Sequence, residues 1–152
     1  MWGWISLHGV GELTHIEGRF TAAKYIEILE ECFLPSLRDS PYPFNGQIVF
    51  VHNKCPIHTA RIVQRWFMEH PNLELLDWPS KGCDMNPIEN VWANMVNCWE
   101  PAQERTSEQL VQHTQAQWEM FRANPRLVNN IVSNMSERLH AVIEKEGGWS
   151  GY

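Results

Sequence analysis

The run Gln47-Ile48-Val49-Phe50-Val51 constrains the fold more than any other segment. It is short, apolar and β-branched, the pattern of a strand buried on both faces. After Pro56, the residues Ile62, Val63, Trp66 and Phe67 recur at helical spacing until His70-Pro71-Asn72, and Leu73 to Leu76 reads as a second short strand. A strand, a helix and a strand in that order make a parallel crossover, because parallel neighbours need a connection long enough to return to the same end of the sheet. An α/β fold follows, with its chemistry expected just beyond the end of the first of these strands.

Upstream, Trp2 to His8 and Glu12 to Glu17 read as a β-hairpin turning through Gly9-Val10-Gly11, with Gly18 closing the second strand. Thr21 can cap a helix that carries Tyr25, Ile28, Leu29, Cys32 and Phe33 at helical spacing and that Pro41-Tyr42-Pro43 ends. Downstream, Trp78-Pro79-Ser80-Lys81-Gly82 is a loop. Asn86 then caps a helix that starts at Pro87, runs to about Trp99 and holds Glu89 in its first turn. Two further helices are expected over 107–121 and 125–146, the second broken near Ser133, before Gly147-Gly148 ends the fold. No repeat, linker or low-complexity stretch interrupts this order, so 1–152 reads as one domain.

A chain of 152 residues that is 43% hydrophobic and 20% charged can bury a core without metal or disulfide support. The cysteines Cys32, Cys55, Cys83 and Cys98 are scattered and follow no leader, which predicts reduced thiols and a protein of the nucleus or cytoplasm that is not secreted. Met1 to Ser6 is too short and too uncharged for a signal peptide, and no apolar run has the length of a membrane span. Twelve basic against 18 acidic side chains give a net charge of −6, the wrong sign for a domain that binds DNA by neutralising phosphates unaided.

Three segments carry a resemblance. The first is Trp2-Gly3-Trp4-Ile5-Ser6 with Gly9, Gly11, Leu13 and Gly18. The second is Val51-His52-Asn53-Lys54-Cys55-Pro56-Ile57-His58-Thr59-Ala60. The third is Leu76-Asp77-Trp78-Pro79 followed by Cys83-Asp84-Met85-Asn86-Pro87-Ile88-Glu89-Asn90-Val91-Trp92. Together they resemble the mariner superfamily of DDE transposases, and the tail from Val132 to Leu139 with Gly147-Gly148 and Tyr152 is similar to a C-terminus of that family.

The resemblance implies a ribonuclease-H-like mixed sheet flanked by helices, and a cut-and-paste reaction on DNA in which three carboxylates hold two Mg²⁺ or Mn²⁺ ions. Such hard cations prefer carboxylate oxygens, and a pair of them clamps the attacking and leaving oxygens of a phosphodiester displacement. Glu89 matches the third carboxylate. Pro56, His58, Thr59 and Ala60 fix the register that puts Asn53, and not His52, at the second, where the family has Asp; Lys54 stands where it has Asn.

The family's first carboxylate lies upstream of the Trp-Gly pair, so this reading expects a sheet truncated at its N-terminal side, without its first, central strand. It also expects a metal site that is weak or lost, and no transposition by this chain alone. His58, Asp84, Asn86 and Asn90 are the expected supports of the site, and His58 is expected to cap or orient its helix. The implied partners are DNA, a second copy of the chain or an intact transposase subunit, with no membrane.

Simpler roles compete with the sharper ones. Asn86 and Pro87 need no function beyond starting a helix, and Asp84 suits a loop or helix N-terminus. His52, Cys55 and His58, with Cys83 further off, could hold zinc, but their spacing matches no finger pattern. Trp66, Trp78, Trp92, Trp99 and Trp118 fall mostly at core spacing, with Trp78 expected to be exposed. Lys54, Arg61, Arg65 and Lys81 could face phosphates but are read as solvated surface. Ser136 and Glu137 replace residues of a Met-Pro-Arg-Arg segment in the family, which removes a basic side chain.

Overall fold

In the computed structural model, which describes residues 1–40, 46–80, 82, 85–99 and 106–148, the periodicities become real elements. In chain order these are β1 (Trp2–Ser6), β2 (Gly9–Thr14), α1 (Ala22–Ile28), a π-helical turn (Leu29–Phe33), α2 (Leu34–Arg38), β3 (Ile48–Phe50) and α3 (Arg61–Glu69). They continue with β4 (Leu73–Leu75), α4 (Pro87–Asn97), α5 (Ser107–Ala123), α6 (Pro125–Ser133) and α7 (Met135–Glu144). The chain divides into two compact units, Met1–His15 with Asp84–Tyr152, and Ile16–Cys83. The expected mixed sheet is represented by one antiparallel pair, β1 with β2, and one parallel pair, β3 with β4, each a two-stranded sheet in its own unit.

In the first unit the hairpin forms, but its turn is Leu7-His8 and not the glycines, since Ser6 pairs directly with Gly9. Gly9 ends that turn with a positive φ of 128°, whereas Gly11 and Gly3 serve close packing. A β-carbon on Gly3 would lie 2.8 Å from the Trp118 ring, and one on Gly11 would lie 1.8 Å from the Trp4 ring, so only hydrogen fits at either position. Trp118 is fully buried, donates from Nε1 to the Gly11 carbonyl at 2.8 Å, and stacks on Trp92 with ring centroids 5.4 Å apart. Val91, Met95, Phe121 and Val128 complete the core around it, with Ile5, Val10 and Leu13 of the hairpin packed against them.

The helices of this unit start and stop where their end chemistry dictates. Asn86 accepts the Ile88 N–H at 3.4 Å, and Pro87 occupies the first turn, where its missing N–H costs nothing. Thr106 and Gln109 form a reciprocal capping box at the start of α5. The break expected near Ser133 lies at Asn134, between α6 and α7. Trp99, also buried, lies edge-on to His113, which bonds the Met95 carbonyl at 2.8 Å.

In the second unit Thr21 accepts the Lys24 N–H at 3.2 Å and so caps α1 as expected. Pro35 has no N–H and would clash with the preceding turn of a regular helix; the widened π turn just before it absorbs that conflict. The parallel crossover forms as predicted, with Ile48 opposite Leu73 and Phe50 opposite Leu75.

The burial expected on both faces of β3 is found on one. Phe50 packs between Phe33 and Phe67, at centroid distances of 5.1 and 5.2 Å, whereas Val49 is 57% exposed. Strand side chains alternate, and among the described residues of this unit the rings of Phe33 and Phe67 lie on the Phe50 side.

Candidate active site

The segment after β3 is organised by one residue. Asn53 Oδ1 accepts the Cys55 backbone N–H at 3.3 Å and a bond from His58 Nδ1 at 2.8 Å, and His58 Nδ1 also reaches the Asn53 carbonyl at 3.1 Å. The Thr59 backbone and hydroxyl both bond the Cys55 carbonyl, closing the turn that leads into α3. Of the two roles expected for His58, to cap or to orient the helix, capping is not found at α3, which begins at an Ala60 cap with no side-chain bond, while His58 spends its Nδ1 on Asn53.

Aromatic packing holds this turn in place. The His52 and His58 rings stack nearly parallel, 4.7 Å apart at 10°, and Tyr25, 1% exposed, lies over His58 at 4.4 Å. The Tyr25 hydroxyl shares a 3.0 Å bond with His52 Nδ1. Burial pushes the Tyr25 phenol above its ordinary range, so it remains a hydroxyl at neutral pH. Neither Tyr25 nor His52 stands out as a support from sequence: Tyr25 reads there as helix core and His52 as a rejected ligand. Among the described residues no three His, Cys, Asp or Glu side chains converge as a metal would require.

Burial, and secondarily the neighbouring His58, lowers the His52 pKa from 6.5 to about 4, and burial also lowers that of His58. Both rings are neutral at pH 7. Because the folded His52 pKa lies below the unfolded one, the unfolded chain takes up the proton first as pH falls. The stabilisation is complete above about pH 6.5 and is lost on descending toward about pH 4. Allowing for the partial exposure of the ring, the loss amounts to about 1–2 kcal/mol. Urea midpoints at pH 7 and pH 5 should differ accordingly, and a His52→Gln variant should show the smaller difference; equal pH dependence in the two proteins would contradict this assignment.

Glu89 lies at the surface of the first turn of α4, its carboxyl raised by partial desolvation. Asn90, next to it, accepts a 2.6 Å bond from Nη1 of Arg138, a 3% exposed side chain on α7. Asn86 is the cap of α4, while Asp84, Lys81, Cys83 and Tyr152 lie outside the described residues.

Lys54, beside Asn53, makes a surface ion pair with Asp77 at 2.6 Å, and Arg61 and Arg65 lie exposed on α3. The exposure expected of Trp78 is corrected: it is 6% exposed and closes its own loop by donating from Nε1 to the Gly82 carbonyl at 2.9 Å. An indole satisfied in this way is part of the packing and is not free to stack on bases.

Residues 1–111 match the model of the DDE superfamily endonucleases. The chain belongs to this family. As a DDE-superfamily member it is 29% identical over 147 residues to the Tcb1 transposase of Caenorhabditis briggsae, covering 97% of this chain and 52% of that protein. It is 26% identical over 148 residues to the Tc1 transposase of Caenorhabditis elegans, with the same coverage. The chain thus spans about half the length of these relatives.

Its fold matches the crystal structure of the catalytic domain of the Mos1 mariner transposase with a TM-score of 0.79 at 23% identity, over 97% of this chain and 73% of that one. The ribonuclease-H-like α/β class is accordingly the fold of this DDE chain.

DDE transposases use divalent metal ions, and the fit of such an ion can be tested at Asn53. The residue brings no charge, and its one acceptor oxygen is already bonded to the Cys55 N–H and to His58. A hard cation needs a free oxygen, so Asn53 does not fit the role of a metal ligand. Among the described residues no helix is long and apolar enough to cross a membrane.

Proposed function

We propose that this chain is a degenerate DDE catalytic domain that acts by binding and does not cut or transfer DNA strands. The observation that carries this reading is the state of residue 53, the position that the motif register assigns to the second carboxylate: an uncharged amide with its oxygen turned into the turn of residues 53–58. Two-metal phosphodiester chemistry depends on carboxylates that draw both ions in, and loss of one removes charge and a ligand together. The proposed partner is DNA, as for a transposase domain, and the place of action is the nucleus or cytoplasm.

Incubating the chain with a duplex oligonucleotide and Mn²⁺ tests the proposal. No nicked or joined product is expected from the wild-type protein. Metal-dependent cleavage that disappears in Glu89→Ala would contradict it.

The edge of β3 turned away from β4 favours a second reading, in which the partner is an intact transposase subunit. Ile48 and Phe50 direct their backbone bonds to β4, so the N–H and C=O of the exposed Val49 point to the other edge, which is suited to strand addition. Co-purification with a full-length transposase, undiminished by Glu89→Ala, supports this partner. Salt-sensitive retention on DNA in its absence supports the first.

A further inference from the structure

We infer that His58 is a positioning residue for the side chain at 53, and that it holds Asn53 with its amide nitrogen, a donor, turned to the open side. This deepens the proposed function and rests on its assignment of residue 53 to the second carboxylate position. The orientation follows from donors and acceptors alone. The Cys55 backbone N–H can only donate, so the δ-atom 3.3 Å from it must be the oxygen of Asn53. His58 Nδ1 faces that same oxygen at 2.8 Å and the Asn53 carbonyl oxygen at 3.1 Å, and two acceptors require a proton on Nδ1. His58 is thereby fixed as the Nδ1–H tautomer, with Nε2 bare.

What remains of Asn53 is its NH₂ group. It has no partner among the described residues and is not sealed from solvent. Where a ligand for a cation would need an oxygen, this position offers two N–H donors, which repel a cation and accept only an electron-rich partner.

The same anchoring predicts what a carboxylate would do here. With Asn53→Asp, one oxygen would still take the Cys55 N–H and the His58 proton, and the other would face outward as a charged ligand. His58 would set which oxygen is presented, and its stacking on His52 and against Tyr25 would keep it from turning away.

The experiment is NMR on the full chain, with Mn²⁺ as the probe. In the wild-type protein the ring ¹⁵N shifts of His58 at neutral pH should report Nδ1–H with a bare Nε2; the opposite tautomer overturns the inference without reference to any metal. Mn²⁺ should broaden the Cys55 and His58 amide resonances in Asn53→Asp and not in wild type. Adding His58→Asn, whose amide can donate from nearly the same place as Nδ1, should preserve the broadening. Adding His58→Ala should weaken Mn²⁺ binding about tenfold or more, of the order seen when partners that orient metal ligands are removed.

Equal binding by Asn53→Asp with and without His58→Ala overturns the positioning role. If Asn53→Asp fails to bind Mn²⁺ in a protein whose His58 is the Nδ1–H tautomer, the assignment of residue 53 to a metal site falls, while the orientation of Asn53 stands.

Discussion

Trp118→Ala is expected to lower stability by about 3–5 kcal/mol, the range for truncating a large buried aromatic. The indole is fully buried and lies against Gly3 of the hairpin, with Trp92 stacked on it and Val91, Met95, Phe121 and Val128 in the same core. Gly3, which lies directly against the indole, has no side chain to move into the resulting cavity. The substitution also removes the 2.8 Å donor of the Gly11 carbonyl, which keeps only the 3.1 Å bond from Arg122 Nη2. Trp118→Phe separates the two effects: it keeps most of the ring and removes the donor, and about 1–3 kcal/mol should be lost. Denaturant titrations followed by circular dichroism measure both. A change in Trp118→Ala under about 1 kcal/mol would place the core elsewhere.

The second large effect is expected at Tyr25, in the other unit. Tyr25→Ala should cost about 3–5 kcal/mol, because a ring that is 1% exposed is removed from beneath His58 and beside His52. Tyr25→Phe should cost only about 1 kcal/mol, the value of the lost hydroxyl bond to His52. The consequence reaches the candidate site, since the turn that orients residue 53 is packed on this ring. Histidine ring resonances should shift strongly in Tyr25→Ala and slightly in Tyr25→Phe. If the alanine variant melts early yet leaves the His58 signals unmoved, the packing of the turn does not depend on Tyr25.

Much of this architecture was legible in the sequence because it is written in local chemistry. Thr21 and Asn86 act as caps, Pro87 opens α4, and the spacing of Val63, Trp66 and Phe67 gives the buried face of α3. The Thr106 and Gln109 pair carries an equally local signal for the start of α5, three residues apart. The hairpin turn lies two residues before the place that its glycines suggest, because Gly9 only ends the turn and Gly11 answers to the cross-strand Trp4 ring. Val49 is exposed for a related reason: an apolar run shows that a strand could be covered on both faces, not that both covers are supplied.

The motif register assigns Asn53 and Glu89 to the candidate site from sequence alone. The supports of that site were less legible. His58 has its partner five residues back, close enough to suspect, but Tyr25 meets His52 across 27 positions and Arg138 meets Asn90 across 48. Such pairings depend on how helices and turns pack, and no single-sequence periodicity encodes them. Trp78 is a different case, since its partner Gly82 lies in the same loop, where no periodicity signals burial.

The most direct measurement of the central claim is a calorimetric titration of the purified wild-type chain with Mn²⁺, run beside Glu89→Ala. The account predicts no saturable binding in the millimolar range for either protein, because residue 53 offers donors where an oxygen is required. Tight saturable binding by the wild-type chain that is lost in Glu89→Ala would show a working metal centre, and would contradict the account.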